Sequence, residues 1–231
     1  MPPAAVDITA DGEATSFFSV ELIEMSKRHV EFLGAMHAAG ISLNRPSASS
    51  FRRYELWLTL VAGAPPGKPL VPPSDVAWLW HCHRLAPYRY AQHCRKAFGA
   101  PPLEANPPFC MQHTEWSRPP PCGTGGADAD AGAETRQLWE KLFPSEPFFL
   151  SAANTQEPSA PAGVGILAGF DVLASAERQA TFLWQVSGPK FVDEGFLAEG
   201  RDNYARFIRL MKSRDPGQTL VPTYQIDLMC V

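Results

Sequence analysis

Apolar residues recur along this chain at intervals of three and four, and that spacing predicts helices over most of its length. From Phe17 to Ala38 they fall at Val20, Ile23, Val30, Leu33 and Met36, one face of an amphipathic helix that Gly40 stops. Tyr54, Trp57, Leu58 and Val61 share a face of a second helix over 50–62, broken by Ala64-Pro65-Pro66-Gly67. Ser74 is placed to cap a third helix ending near Ala86, before a proline. Asp75 falls in its first turn, where a carboxylate suits the positive end of the helix dipole. Pro87 opens a fourth helix that runs to Phe98, with Gly99 just past its end. Further helices are predicted over 134–143, 171–186, 191–213 and from Thr223 onward. No segment alternates with period two over more than a few residues, so strands are few.

The pattern occurs twice. Residues 17–81 align without a gap onto 167–231, at an offset of 150 residues. Arg28 meets Arg178, Phe32 meets Phe182, Tyr54 meets Tyr204 and Leu60 meets Leu210. The match is densest at Pro66-Gly67 with Pro216-Gly217, and at Leu70-Val71-Pro72 with Leu220-Val221-Pro222. Identity falls on turn and core positions, which a shared fold requires, and the period is too long for a small solenoid. The expected architecture is mainly α, two related helical units joined by a Pro/Gly-rich loop. It divides into a flexible N-terminus over 1–16, a first repeat unit over 17–98, a Pro/Gly/Ala-rich linker over 99–133, a short helix and loop over 134–166, and a second repeat unit over 167–231. Trp80 and His81 align with Cys230 and Val231, so the second copy stops where its own Trp-His-x-His would begin. Truncation is the expectation, because a helix cut after about two turns leaves Ile226 and Met229 without the rest of their packing.

Composition narrows the setting. The 231 residues are 45% hydrophobic and 19% charged, with a formal net charge of -4, which does not describe a surface that wraps nucleic acid. The 23 prolines cluster, as loops between rigid pieces would have them. Five cysteines, an odd number without small-domain disulfide spacing, point to a reducing compartment. Residues 1–16 have neither the basic flank nor the apolar core of a secretory signal, and no apolar run reaches the length of a bilayer span. Cytoplasm is the expected location, with the nucleus as its alternative, and no membrane is implied.

The chemistry concentrates in Trp78-Leu79-Trp80-His81-Cys82-His83 and the nearby His93 and Cys94. Imidazole and thiolate are the ligands zinc prefers, so His81, His83, His93 and Cys94 form a candidate metal set. Residues two apart on a helix point about 200° apart, so His81 and His83 cannot both face one ion from a regular helix. The structural reading makes Asp75, Trp78, Trp80, His81 and His83 the centre of a buried helix, apolar on most sides. In that reading a buried histidine donates one ring N–H to a carbonyl, or His83 serves the last turn's free carbonyls. Cys110, His113 and Cys122 also have ligand chemistry, in a proline-rich loop without a fourth ligand nearby. Arg201, Arg206, Arg209, Lys212 and Arg214 make a basic stretch interrupted by Glu199 and Asp202, which reads as a solvated helix face, with a nucleic-acid patch as the other reading. P-loop, Rossmann, nucleophile-elbow and His-Glu-x-x-His motifs are missing.

These residues also carry a resemblance. Leu70-Val-Pro-Pro-Ser-Asp-Val-Ala-Trp-Leu-Trp-His-Cys-His-Arg-Leu85 resembles the glycine-rich domain-containing protein-like family of plants, algae and fungi. So do Pro87-Tyr-Arg-Tyr90, Cys94, Leu138-Trp139, Pro144-Ser-Glu-Pro147, Arg178-Gln179 to Gln185-Val-Ser187, Tyr204-Ala-Arg-Phe207 and Leu220-Val-Pro-Thr-Tyr-Gln-Ile-Asp-Leu228. In the family the second Leu-Val-Pro-Thr-Tyr element runs on into another Trp-His-x-His, where this chain has Cys230-Val231. Plant relatives carry downstream glycine-rich segments, some linked to RNA binding, development and stress tolerance. The leading functional expectation is a non-enzymatic interaction or scaffold module with a protein partner. The alternative is a metal-dependent enzyme using zinc or iron at the His-Cys-His cluster. A third is an RNA-associated accessory domain in stress or development, which the resemblance suggests and this chain's charge does not support.

Overall fold

The computed structural model describes residues 18, 21–39, 42–64, 70–98, 127–150, 165–215 and 217–230. The expected stops at Gly40 and Gly99, the break at Pro65-Pro66-Gly67, the N-terminus over 1–16 and the Cys110, His113 and Cys122 group lie outside the described residues.

In chain order the helices are α1 (Leu22–Ala38), α2 (Ala48–Gly63), α3 (Ser74–Arg84), α4 (Pro87–Phe98), α5 (Ala127–Leu142), α6 (Val172–Gln185), α7 (Glu194–Ser213) and α8 (Tyr224–Leu228). Among the described residues the strands are β1 (Ile166–Leu167) and β2 (Phe170–Asp171), an antiparallel pair. Ala168 (φ 49) and Gly169 (φ 77) make the tight turn between them, both in the left-handed region that a two-residue hairpin of this kind requires.

Several boundaries depart from the pattern in the sequence, each for a local reason. α5 begins at Ala127 rather than at Glu134, inside the stretch expected to be linker. Ala127, Ala129, Ala131 and Ala133 have the highest helix propensity and outweigh Gly132. The helix expected over 191–213 is broken by Asp193, whose carboxylate accepts from Phe196 N at 2.9 Å and caps α7; a short 3-10 turn, Pro189–Val192, precedes it. α2 starts at Ala48 because Ser47 Oγ accepts from Ser50 N at 3.0 Å. The cap of α3 is Pro73, not Ser74, and it makes no side-chain cap bond.

The two sequence copies have corresponding helices. Leu22 and Val172 open α1 and α6, Gly63 and Ser213 close α2 and α7, and Ser74 and Tyr224 open α3 and α8, each pair at the repeat offset. The compact units do not coincide with the copies. One is Glu31–Gln185; the other is Met1–Val30 with Val186–Val231. In the first unit α3 packs between α2 of its own copy and α6 of the other, and Ser175 Oγ on α6 donates to Cys82 O at 3.2 Å. In the second unit α8 packs on α7, while Ser26 Oγ in the first part of α1 donates to Met229 Sδ at 3.0 Å. His29, also from α1, is buried beside the Leu228 backbone. Each copy's third helix is therefore completed by the first helix of the other copy. This corrects the expectation that Met229 lacks packing: it is buried against α1.

Candidate functional site

α3 is sealed along nearly its whole length, with Asp75 through His83 all buried. A helix with no wet face must satisfy every polar side chain internally, and the way it does so defines the site.

Asp75 is held by a residue that periodicity alone did not single out. Arg53, fully buried on α2, donates Nε to Asp75 Oδ2 at 3.0 Å and Nη2 to Oδ1 at 3.1 Å, a bidentate pair. The same guanidinium donates to Phe148 O at 2.7 Å and to Pro147 O, and lies 5.5 Å from the Trp139 ring centroid. One arginine thus ties α2, α3, α5 and the turn after α5 together.

The tryptophans are anchored by their N–H groups. Trp78 Nε1 donates to Leu43 O at 2.8 Å, and Trp80 Nε1 donates to the Tyr90 hydroxyl on α4 at 3.0 Å. Trp80 also meets the Trp57 ring edge-on at 5.6 Å.

The two motif histidines point to different surroundings, as their spacing requires. His81 lies against Phe32 (5.0 Å between centroids) and stacks on Trp78 (5.9 Å). His83 Nδ1 pairs with the Tyr54 hydroxyl at 2.7 Å, and its ring stacks on Phe170 at 5.5 Å with an interplanar angle of 12°. Its partner is thus a phenol on α2, not the backbone carbonyl expected from the sequence. Tyr90 and His93 meet the same ring at 5.1 and 5.7 Å. Of the candidate ligands, then, His83 and His93 are neighbours, His81 lies in a different aromatic nest, and the buried Cys94 hydrogen-bonds Tyr90. Among the described residues no three His, Cys, Asp or Glu side chains are gathered as metal ligands. His83 Nε2 is buried and has no hydrogen-bond partner among the described residues.

Burial sets the protonation states. It pushes the Cys82 thiol up, the Cys94 thiol up to about 11, and the Tyr54 and Tyr90 hydroxyls up, so all four keep their protons near neutrality. Neither thiol has the lowered pKa of a reactive nucleophile.

A model of the family described as "Glycine-rich domain-containing protein-like" matches residues 5–93 and 122–231. The chain belongs to this family. Among its relatives, "Glycine-rich domain-containing protein 2" of Arabidopsis thaliana is 31% identical over 222 residues, covering 91% of this chain and 26% of the relative. "Glycine-rich domain-containing protein 1" of the same plant is 28% identical over 224 residues, covering 91% and 25%. The chain therefore spans about a quarter of the length of these curated relatives. No solved structure matches it.

In this member of the glycine-rich domain-like family the Arg53–Asp75 pair has a counterpart. The equivalent positions in the second copy are Asn203 and Gln225, and Asn203 Nδ2 donates to Gln225 Oε1 at 3.2 Å. The geometry of the link between second and third helix is kept while its charge is lost. The second copy's tyrosine has an aromatic partner of its own: Phe18 stacks on Tyr204 at 5.4 Å, whereas the first copy's Tyr54 meets the His83 ring edge-on at 6.0 Å.

Acid should loosen this site. Burial, with His93 adding to it, pushes the His83 pKa from its ordinary 6.5 down to about 3. Below pH 6.5 the unfolded chain gains a proton that the folded chain refuses. Stability is therefore lost as pH falls from about 6.5 toward 3, at up to about 1.4 kcal/mol per pH unit. Thermal melts of the wild type and His83→Gln between about pH 7 and 4 should give the variant the shallower slope. Equal slopes would mean that His83 is protonated inside the fold.

Proposed function

We propose that this glycine-rich domain-like chain is a non-enzymatic interaction module, in which the Trp-His-Cys-His helix is an internal strut and a protein partner binds the outer surface. The observation that carries the reading is the use of the motif's polar groups: Asp75 on Arg53, Trp78 on Leu43, Trp80 on Tyr90 and Nδ1 of His83 on Tyr54 are spent on internal bonds. Groups committed in this way inside a dry core hold elements at fixed angles, and catalysis needs groups that reach a substrate.

One observation favours the metal-dependent alternative. His83 and His93 are adjacent, and His83 Nε2 has a lone bonding position among the described residues. Chelator-free protein separates the two readings. As a strut, His81→Ala with His83→Ala lowers the melting temperature, and cross-linking in cells joins the wild type to one partner at fixed stoichiometry through exposed residues. Stoichiometric zinc or iron that disappears in a still-folded His83→Ala variant would overturn the interaction reading.

A further inference from the structure

The two copies differ in what lies over them. In the first unit α5 lies over the first copy: Val71 N donates to Thr135 Oγ1 at 3.1 Å, and Trp139 sits over Arg53. Thr135 and Trp139, one helical turn apart, are both fully buried there. Leu60, on the same first-copy α2, is 3% exposed. The equivalent residues of the second copy are open. Leu210 is 52% exposed and Val221 is 82% exposed. Tyr224, three residues after Val221, is also exposed. This apolar set is edged with cations: Arg206 and Arg214, four residues to either side of Leu210, are exposed, where the first copy has Leu56 and Ala64. The helix that lies over the first copy is acidic, with Asp128, Asp130, Glu134 and Glu140 against Arg136 and Lys141.

We propose that the face of α7 and the 220–224 segment formed by Leu210, Val221 and Tyr224 docks an acidic amphipathic helix of a protein partner, in the manner in which α5 lies over the first copy. This rests on the interaction reading above and gives it a surface. An aromatic anchor on the partner, in the place of Trp139, would lie over Asn203, and carboxylates on its flank would meet Arg206 and Arg214. A helix-in-groove contact of this kind is read by apolar anchors one turn apart, with charge setting the orientation.

The probe is a fluorescein-labelled peptide of residues 127–150, titrated into the full chain and followed by anisotropy. Saturable binding is expected, weakening as salt rises. Leu210→Asp with Val221→Asp should weaken it about tenfold or more, and Arg206→Glu with Arg214→Glu should weaken it by a similar factor. All four side chains are exposed or at the rim, so circular dichroism melts of both variants should overlay the wild type. Absence of saturable binding would overturn the proposal. So would binding that both double variants leave unchanged, since the peptide would then be displacing α5 in its own place. A cellular partner that binds the Leu210→Asp, Val221→Asp variant as tightly as the wild type would remove this surface and leave the interaction reading standing.

Discussion

Arg53→Ala is expected to destabilise the fold by about 3–5 kcal/mol, the scale for removing one partner of a buried ion pair. Asp75 is buried beside it, and the Pro147 and Phe148 carbonyls take their bonds from the same guanidinium. The substitution therefore strands an anion and two acceptors away from water. Asp75→Ala strands the cation instead and should cost a similar amount. The second copy indicates how the pair can be dissolved more cheaply, because Asn203 and Gln225 make the same link without charge. Arg53→Asn with Asp75→Gln should cost less than the two single substitutions added together, since no unpaired charge is left behind. Urea unfolding of the wild type, Arg53→Asn, Asp75→Gln and the double variant, as a double-mutant cycle, measures this. Single-variant losses below about 1 kcal/mol would mean that the pair is in contact with water.

Much of the helical architecture was legible before any coordinates. The starts at Ser74, Pro87 and Thr223–Tyr224 follow from turn chemistry and from three- and four-residue spacing, which are local properties. The repeat was legible because its identities fall at turns and core positions. Two classes of feature were not. The first is partner choice across space. Arg53 reads as one more polar position on a helix until Asp75 is brought beside it, and Phe170 reads as a loop residue until the β1–β2 turn delivers it to His83. A signal for that turn was present in Ala168-Gly169 between apolar residues, although Ala is an uncommon occupant of a left-handed position. The second is the exchange of first helices. Nothing local in α1 or α6 says which copy's third helix it will cover, because both faces are apolar at the same spacing. The geometry of the candidate metal set was half legible: helical spacing separated His81 from His83, and only the packing of α4 against α3 brought His93 beside His83.

The exchange carries the second large prediction. If α3 takes part of its cover from α5 and α6, the sequence copy 17–98 lacks two of the helices that close its core. The core of that copy, with Trp57, Trp78, Tyr54 and Leu79 fully buried in the folded chain, would lose part of its cover. Losing a whole packed helix exposes far more apolar surface than a domain's net stability can absorb, which is only about 5–15 kcal/mol. A fragment over 22–185 keeps α5 and α6 and should fold cooperatively; the fragment over 17–98 should not.

The Cys82 thiol, fully buried beneath Ser175 of α6, is a direct reporter of that difference. Iodoacetamide labelling located by peptide mass spectrometry should find Cys82 protected in the full chain and in 22–185, and labelled at the rate of an open thiol in 17–98. Protection of Cys82 in 17–98, with a cooperative unfolding transition, would contradict a core shared between the two copies.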